Sequence, residues 1–170
     1  IALVGSRDFQ YQGFGQDNAA TAYIQPGSSV KSLVYAQLFE QKAEGAQNYG
    51  SGTVLRDEPI DALYGAKLQN ADRSYRGNVS IRTSLATSRN IPAVKAMAIN
   101  DGTTAGNAGD GTTLKKIREM GAKSYCTVGD DRTAGLALAI GGCGVQQVDL
   151  VNAYASIARG GVYKPQSSVL

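Results

Sequence analysis

A Pro-Gly pair that opens directly into an unbroken helical pattern constrains this chain more than any other feature. In "IQPGSSVKSLVYAQLFEQ", residues 24–41, Pro26-Gly27 reads as a turn, and the proline holds Gln25 extended. Val30, Leu33, Val34, Gln37 and Leu38 then fall at helical spacing and are mostly apolar. The stretch predicts a helix entered abruptly, with Ser28 at its start and Lys31 one turn on, on the same face. A lysine there meets the positive end of the helix dipole, which disfavours the ammonium form, and partial burial pushes the same way. A neutral Lys31 could take the proton from Ser28 as the hydroxyl attacks a carbonyl, with the Ser28 backbone N–H facing the developing oxyanion. The plainer alternative is that Ser28 caps the helix and Lys31 is solvated. A lone Ser-x-x-Lys spacing arises by chance about 0.6 times in a chain of this composition, so the spacing alone does not decide.

Composition narrows the chemistry. The chain has no histidine among its 170 residues. That excludes Ser-His-Asp triads, Cys-His dyads and histidine zinc sites, and leaves Lys, Asp, Glu or Tyr to handle protons. The net charge is +3, and Lys115 and Lys116 are the only adjacent basic residues, which argues against nucleic acid as a partner. Two cysteines, Cys126 and Cys143, are too few for a four-thiolate zinc site, and composition leaves open whether they pair. "GSSVKS" lacks the glycine that a phosphate-binding loop needs before its lysine. "GGCG", residues 141–144, would need a third glycine at Gln147 to be a dinucleotide loop.

The length suits one domain, and no internal repeat is visible. Residues 1–4 read as a buried strand and residues 8–21 as loop. After the helix that follows Pro26-Gly27 comes a loop at 45–52. Residues 78–82 are ambiguous between strand and helix. Helix is expected at 83–87, a break at 88–90, and helix again at 91–99, with Pro92 in its first turn. A Gly/Thr/Asn loop covers 100–113. A short helix at 114–120 is expected to be capped by Thr113 and stopped by Gly121. "AGLALAIGG", residues 134–142, is small and apolar and must pack tightly. Residues 147–158 form an amphipathic helix with Val148, Val151, Tyr154, Ala155 and Ala158 on one side, ended by Gly160-Gly161. The chain opens on "IALVGSRDF", like a strand entered partway, and closes on "GGVYKPQSSVL", which reads as a piece of a longer protein.

The order of motifs points to a family. "QPGSSVKSLVY" resembles the active-site segment of penicillin-binding protein transpeptidase domains, and Ser88-Arg89-Asn90 resembles their second motif, Ser-x-Asn. "NADRSYRGNVSIRTSLATSRNIPAVK", "VGSRDF" and "VDLVNAYASIARGGVYKP" resemble the class A, bifunctional branch, so the likeness runs through most of the chain. The resemblance implies an α+β, penicillin-recognising serine transpeptidase/β-lactamase-like fold: an antiparallel sheet between helical layers, with the Ser28 helix in the middle. It implies that Ser28 is the acylated nucleophile and Lys31 its proton acceptor. Ser88 would relay a proton to the leaving amine, and Asn90 would bind the substrate's peptide chain. Arg89 fills the variable position and receives no role.

The implied activity is a D,D-transpeptidase that cross-links peptidoglycan stem peptides and is acylated by β-lactams, with no metal or organic cofactor. It would work on the extracytoplasmic face of the bacterial membrane, with the full-length protein anchored there. That compartment permits disulfides and implies a Cys126–Cys143 bridge. One departure is plain: neither Lys-Thr-Gly nor Lys-Ser-Gly, the family's third motif, occurs in the sequence. Residues 1–170 are therefore expected to form a transpeptidase-domain fragment whose partner is the remaining part of the domain, in this or a separate chain. A non-catalytic penicillin-recognising sensor and a class A β-lactamase are the alternatives; the β-lactamase would want Ser-Asp-Asn where this chain has Ser-Arg-Asn.

Overall fold

The computed structural model describes residues 6–40, 42–107, 109–128 and 134–167. The strand expected at 1–4 lies outside the described residues. Pro26 sits in the right-handed region and Gly27 at φ 54°, which is the expected turn. A single 3-10 turn, Gly27–Val30, leads without a break into α1, Lys31–Leu38. Nearly every α1 side chain is buried, including Leu33, Val34, Tyr35 and Leu38, so this helix is surrounded on all sides. It ends at Leu38, earlier than the glycines at 45–52 had indicated.

The ambiguous stretch at 78–82 is both strand and helix. Strand β3, Gly77–Ser80, passes directly into α3, Ile81–Ala86, where the Ser80 hydroxyl caps the Thr83 N–H. Strand β3 pairs antiparallel with β2, Val54–Asp57, and the register sets Leu55 opposite Val79, both buried. The short helix α2, Asp61–Tyr64, lies between these strands in sequence. Helix α4, Asn90–Asp101, begins on the second motif and packs along α1. Its Ile91, Ala93, Val94 and Met97 join Val30, Leu33 and Leu38 in the main core.

Helix α5 spans Thr112–Met120 and α6 spans Gln147–Ala158. Thr113 is inside α5 and does not cap it. The buried Asp101, at the end of α4, supplies the cap: its Oδ1 accepts the Thr113 N–H and hydroxyl, each at 2.6 Å. Burial raises the Asp101 carboxyl above its ordinary pKa despite those bonds. The apolar segment is a 3-10 helix, Gly135–Ile140, packed against α4 and the turn before α1.

Helix α6 has the expected span but buries a different face. Asn152, Ala153 and Ser156 are buried, while Val151 and Tyr154 are exposed. Gly121 lies against this buried face: an added Cβ there would meet Asn152 and Ala153 at 3.1–3.2 Å, so its missing side chain permits the close approach. Strand β1, Tyr23–Ile24, pairs antiparallel with β4, Val145–Gln146. The molecule is thus α+β, but among the described residues its strands form two separate two-stranded ladders, not one central sheet.

Candidate active site

Lys31 is the centre of the site. It is 1% exposed, the first residue of α1, and its amine reaches across to the break between α3 and α4. There Nζ lies 2.7 Å from the Ser88 carbonyl oxygen, 3.2 Å from Ser88 Oγ and 2.7 Å from Asn90 Oδ1. These contacts satisfy either protonation state. An ammonium donates three bonds; a neutral amine donates two and accepts the third from the Ser88 hydroxyl. Burial lowers the amine from its ordinary 10.5 to about 8.

Ser28 lies in the 3-10 turn, exposed to solvent, and its carbonyl accepts the Lys31 backbone N–H. Its hydroxyl makes no hydrogen bond among the described residues. The amine is held instead by the second motif, whose carbonyl and amide oxygens are the stronger acceptors. The turn itself is pinned. The Ser29 hydroxyl donates to the Pro26 carbonyl at 2.7 Å, and the Tyr154 hydroxyl donates to the Ser29 carbonyl at 2.5 Å. Gly141 rests on the Gly27 backbone so closely that an added Cβ would overlap its N, Cα and O.

The second motif is a strained turn. Ser88 has φ 53°, the left-handed region that a non-glycine residue rarely occupies. Ser88 is exposed and Asn90 half-buried. Asn90 also donates from Nδ2 to the Gln69 carbonyl at 2.8 Å, which fixes the amide orientation that gives Oδ1 to Lys31. Lys31, Ser88 and Asn90 are therefore brought together, and Ser28 lies one turn before Lys31 on the same helix start. Cys126 and Cys143 are joined to each other, with Cα atoms 5.0 Å apart, in the segments that flank the 3-10 helix.

Sequence reasoning missed the support beneath this turn. Arg89, left without a role, is 2% exposed and is ion-paired to Asp57 and Asp72. Asn70, also buried, accepts the Asn90 backbone N–H at 2.7 Å. The signal available was the density of polar residues in "NADRS", residues 70–74, but nothing local says that they fold onto Arg89.

The antiparallel ladders, the buried central helix and the Lys31 cluster define a class, the penicillin-binding protein transpeptidase-like fold. No family model matches the chain. Individual proteins do. It is 30% identical to penicillin-binding protein 1F of Bacillus subtilis (strain 168), over 95% of this chain and 20% of that protein. It is 28% identical to penicillin-binding protein 1A of Neisseria meningitidis (strain Z2491), over 99% of this chain and 19% of that protein. Among solved structures, penicillin-binding protein 1A from Haemophilus influenzae superposes with a TM-score of 0.62 at 26% identity, covering 83% of this chain and 19% of that one. PonA1 from Mycobacterium tuberculosis, in complex with penicillin V, gives a TM-score of 0.70 at 23% identity, covering 87% and 38%, a likeness of fold. The homologues of this chain are class A penicillin-binding proteins, and it spans about a fifth of the length of the curated relatives it matches.

Proposed function

We propose that this chain carries the acylation half of a D,D-transpeptidase site that cross-links peptidoglycan stem peptides. The observation that carries the reading is the buried Lys31 amine, shared between Ser88 and Asn90 one turn from Ser28. In this reading the Ser28 Oγ attacks the carbonyl of the penultimate D-Ala, and its proton passes to neutral Lys31. The Ser28 backbone N–H donates to the oxyanion. As the tetrahedral adduct collapses, the C–N bond breaks, Ser88 gives its proton to the nitrogen of the departing terminal D-Ala and is re-protonated by the Lys31 ammonium, and an ester remains on Ser28. The amine of a neighbouring stem then attacks the ester, loses a proton to Lys31 and displaces Ser28, which receives that proton from the lysine. Asn90 binds the stem peptide backbone. A β-lactam is attacked at the same serine, and its opened ring stays attached.

The remaining part of the domain, in this or a separate chain, supplies the third motif: the second oxyanion donor and the carboxylate-binding strand. The working place is the extracytoplasmic face of a bacterial membrane, with the full-length protein anchored there. No helix among the described residues is long and apolar enough to cross a membrane.

Intact mass after incubation with benzylpenicillin tests the reading. A one-drug adduct on the full-length protein, absent from Ser28→Ala, is the expected result. A folded full-length protein that takes up no drug overturns it and favours the non-catalytic sensor. Rapid release of hydrolysed drug favours a β-lactamase.

A further inference from the structure

Arg89 sits between the two residues that hold Lys31, yet it points away from them into the protein. Its Nε donates to Asp57 Oδ2 at 2.8 Å, and its Nη2 lies 2.7 Å from the same oxygen. Its Nη1 donates to Asp72 Oδ2 at 2.6 Å, and Nη2 also donates to the Ser74 carbonyl. Asp57, at the end of β2, is 0% exposed. Its Oδ1 accepts from Asn70 Nδ2 at 2.8 Å, and its Oδ2 also accepts the Arg76 backbone N–H at 3.0 Å. Asn70 in turn holds the Asn90 N–H, an otherwise unpaired donor at the start of α4.

A buried ion pair is a poor device for stability alone, because desolvating both charges offsets most of the attraction. Its location gives it another use. All three acceptors of the Lys31 amine lie on the residues immediately before and after Arg89. The left-handed Ser88 backbone persists only if its surroundings over-determine it. The Arg89 fork on one side and the Asn70 bond on the other provide that determination.

We propose that Arg89 is a positioning residue: locked to Asp57 and Asp72, it holds the Ser88 and Asn90 oxygens on the Lys31 amine and so aims that amine for acylation of Ser28. The inference rests on the acyl-enzyme reading above. The clamp acts on the acylation step, since the backbone it holds carries the Lys31 acceptors and Arg89 and Asp57 are themselves buried.

The test is rapid-mixing acylation of the full-length protein by benzylpenicillin, separating the saturation constant from the limiting acylation rate. Arg89→Met with Asp57→Asn removes both buried charges together, so no lone charge opposes folding. This double variant is expected to lose about tenfold or more in limiting rate, with the saturation constant changed by less than about threefold. Arg89→Lys, which keeps the charge but loses the fork, is expected to fall between it and wild type. Asp72→Asn, at a half-exposed position, is expected to lower the rate by about threefold with an unchanged thermal midpoint. If the double variant does not fold, Arg89→Lys and Asp72→Asn decide. Wild-type limiting rates in the variants that fold overturn the inference while leaving the Ser28 reading intact. A wild-type protein that forms no Ser28 adduct removes both.

Discussion

Lys31 is a cation 1% exposed that meets no carboxylate among the described residues; its partners are carbonyl, amide and hydroxyl oxygens. Such neighbours satisfy its hydrogens without stabilising its charge as an ion pair would, and burial brings the amine down to about 8. The active base is the neutral form, whose fraction rises with pH. The rate of Ser28 acylation by benzylpenicillin should therefore climb about tenfold per unit below pH 8 and level off above it. A pH series of rate over saturation constant from about 6 to 9.5 checks this. A flat profile would assign the proton transfer to another group. The same lysine shows how burial serves chemistry: the desolvation that disfavours the ammonium raises the share of amine able to accept a proton.

At the scale of elements, the site depends on two glycines meeting. Gly141, at φ 81°, closes the 3-10 helix directly on Gly27, the residue before Ser28. An alanine at 141 would add overpacking of roughly 1–3 kcal/mol, and a left-handed penalty of about 1 kcal/mol. Gly141→Ala should lower the thermal midpoint by several degrees and slow acylation by displacing the Ser28 turn. Gly52→Ala should do neither, because Gly52 has open space around it and an ordinary φ. Equal midpoints for the two variants in a melting experiment would show that the glycine contact does not matter.

This contact was not legible in the sequence, although the candidate motifs were. Ser28, Lys31, Ser88 and Asn90 stand in short motifs, and α1, α4 and α6 carry their own periodicity. Strands β1 and β4 are two residues each, too short for alternation to show. The buried face of α6 packs on Gly121, just past the end of α5, and does not follow the helix's own apolar stripe. Arg89 and its acids come together from 17 and 32 positions away, by a chain reversal that no local pattern encodes.

The whole molecule is closed by its second half folding back onto the Ser28 turn. Strand β4 pairs with β1 just upstream of that turn, and Tyr154 reaches Ser29 across 125 positions. Gln25 donates to the Gly142 carbonyl, and the Tyr23 and Thr127 hydroxyls meet at 3.2 Å. Cys126 and Cys143 tie this returning half together, and the Cys126 N–H donates to the Gly144 carbonyl beside the bridge. A loop of this size, with cysteines 17 positions apart, restricts the unfolded chain enough to stabilise by about 3 kcal/mol. At roughly 2–4 °C per kcal/mol for a chain of this length, reduction should lower the thermal midpoint by about 6–12 °C. The variant with both cysteines changed to alanine should melt at that lower temperature with or without reductant. Its acylation rate should fall less than its stability, because Tyr154 and the β1–β4 ladder still hold the turn. Intact mass with and without reductant gives the independent check, a gain of two hydrogens on reduction. An unchanged mass would show free thiols, and the closure would then rest on the hydrogen bonds and the glycine contact alone.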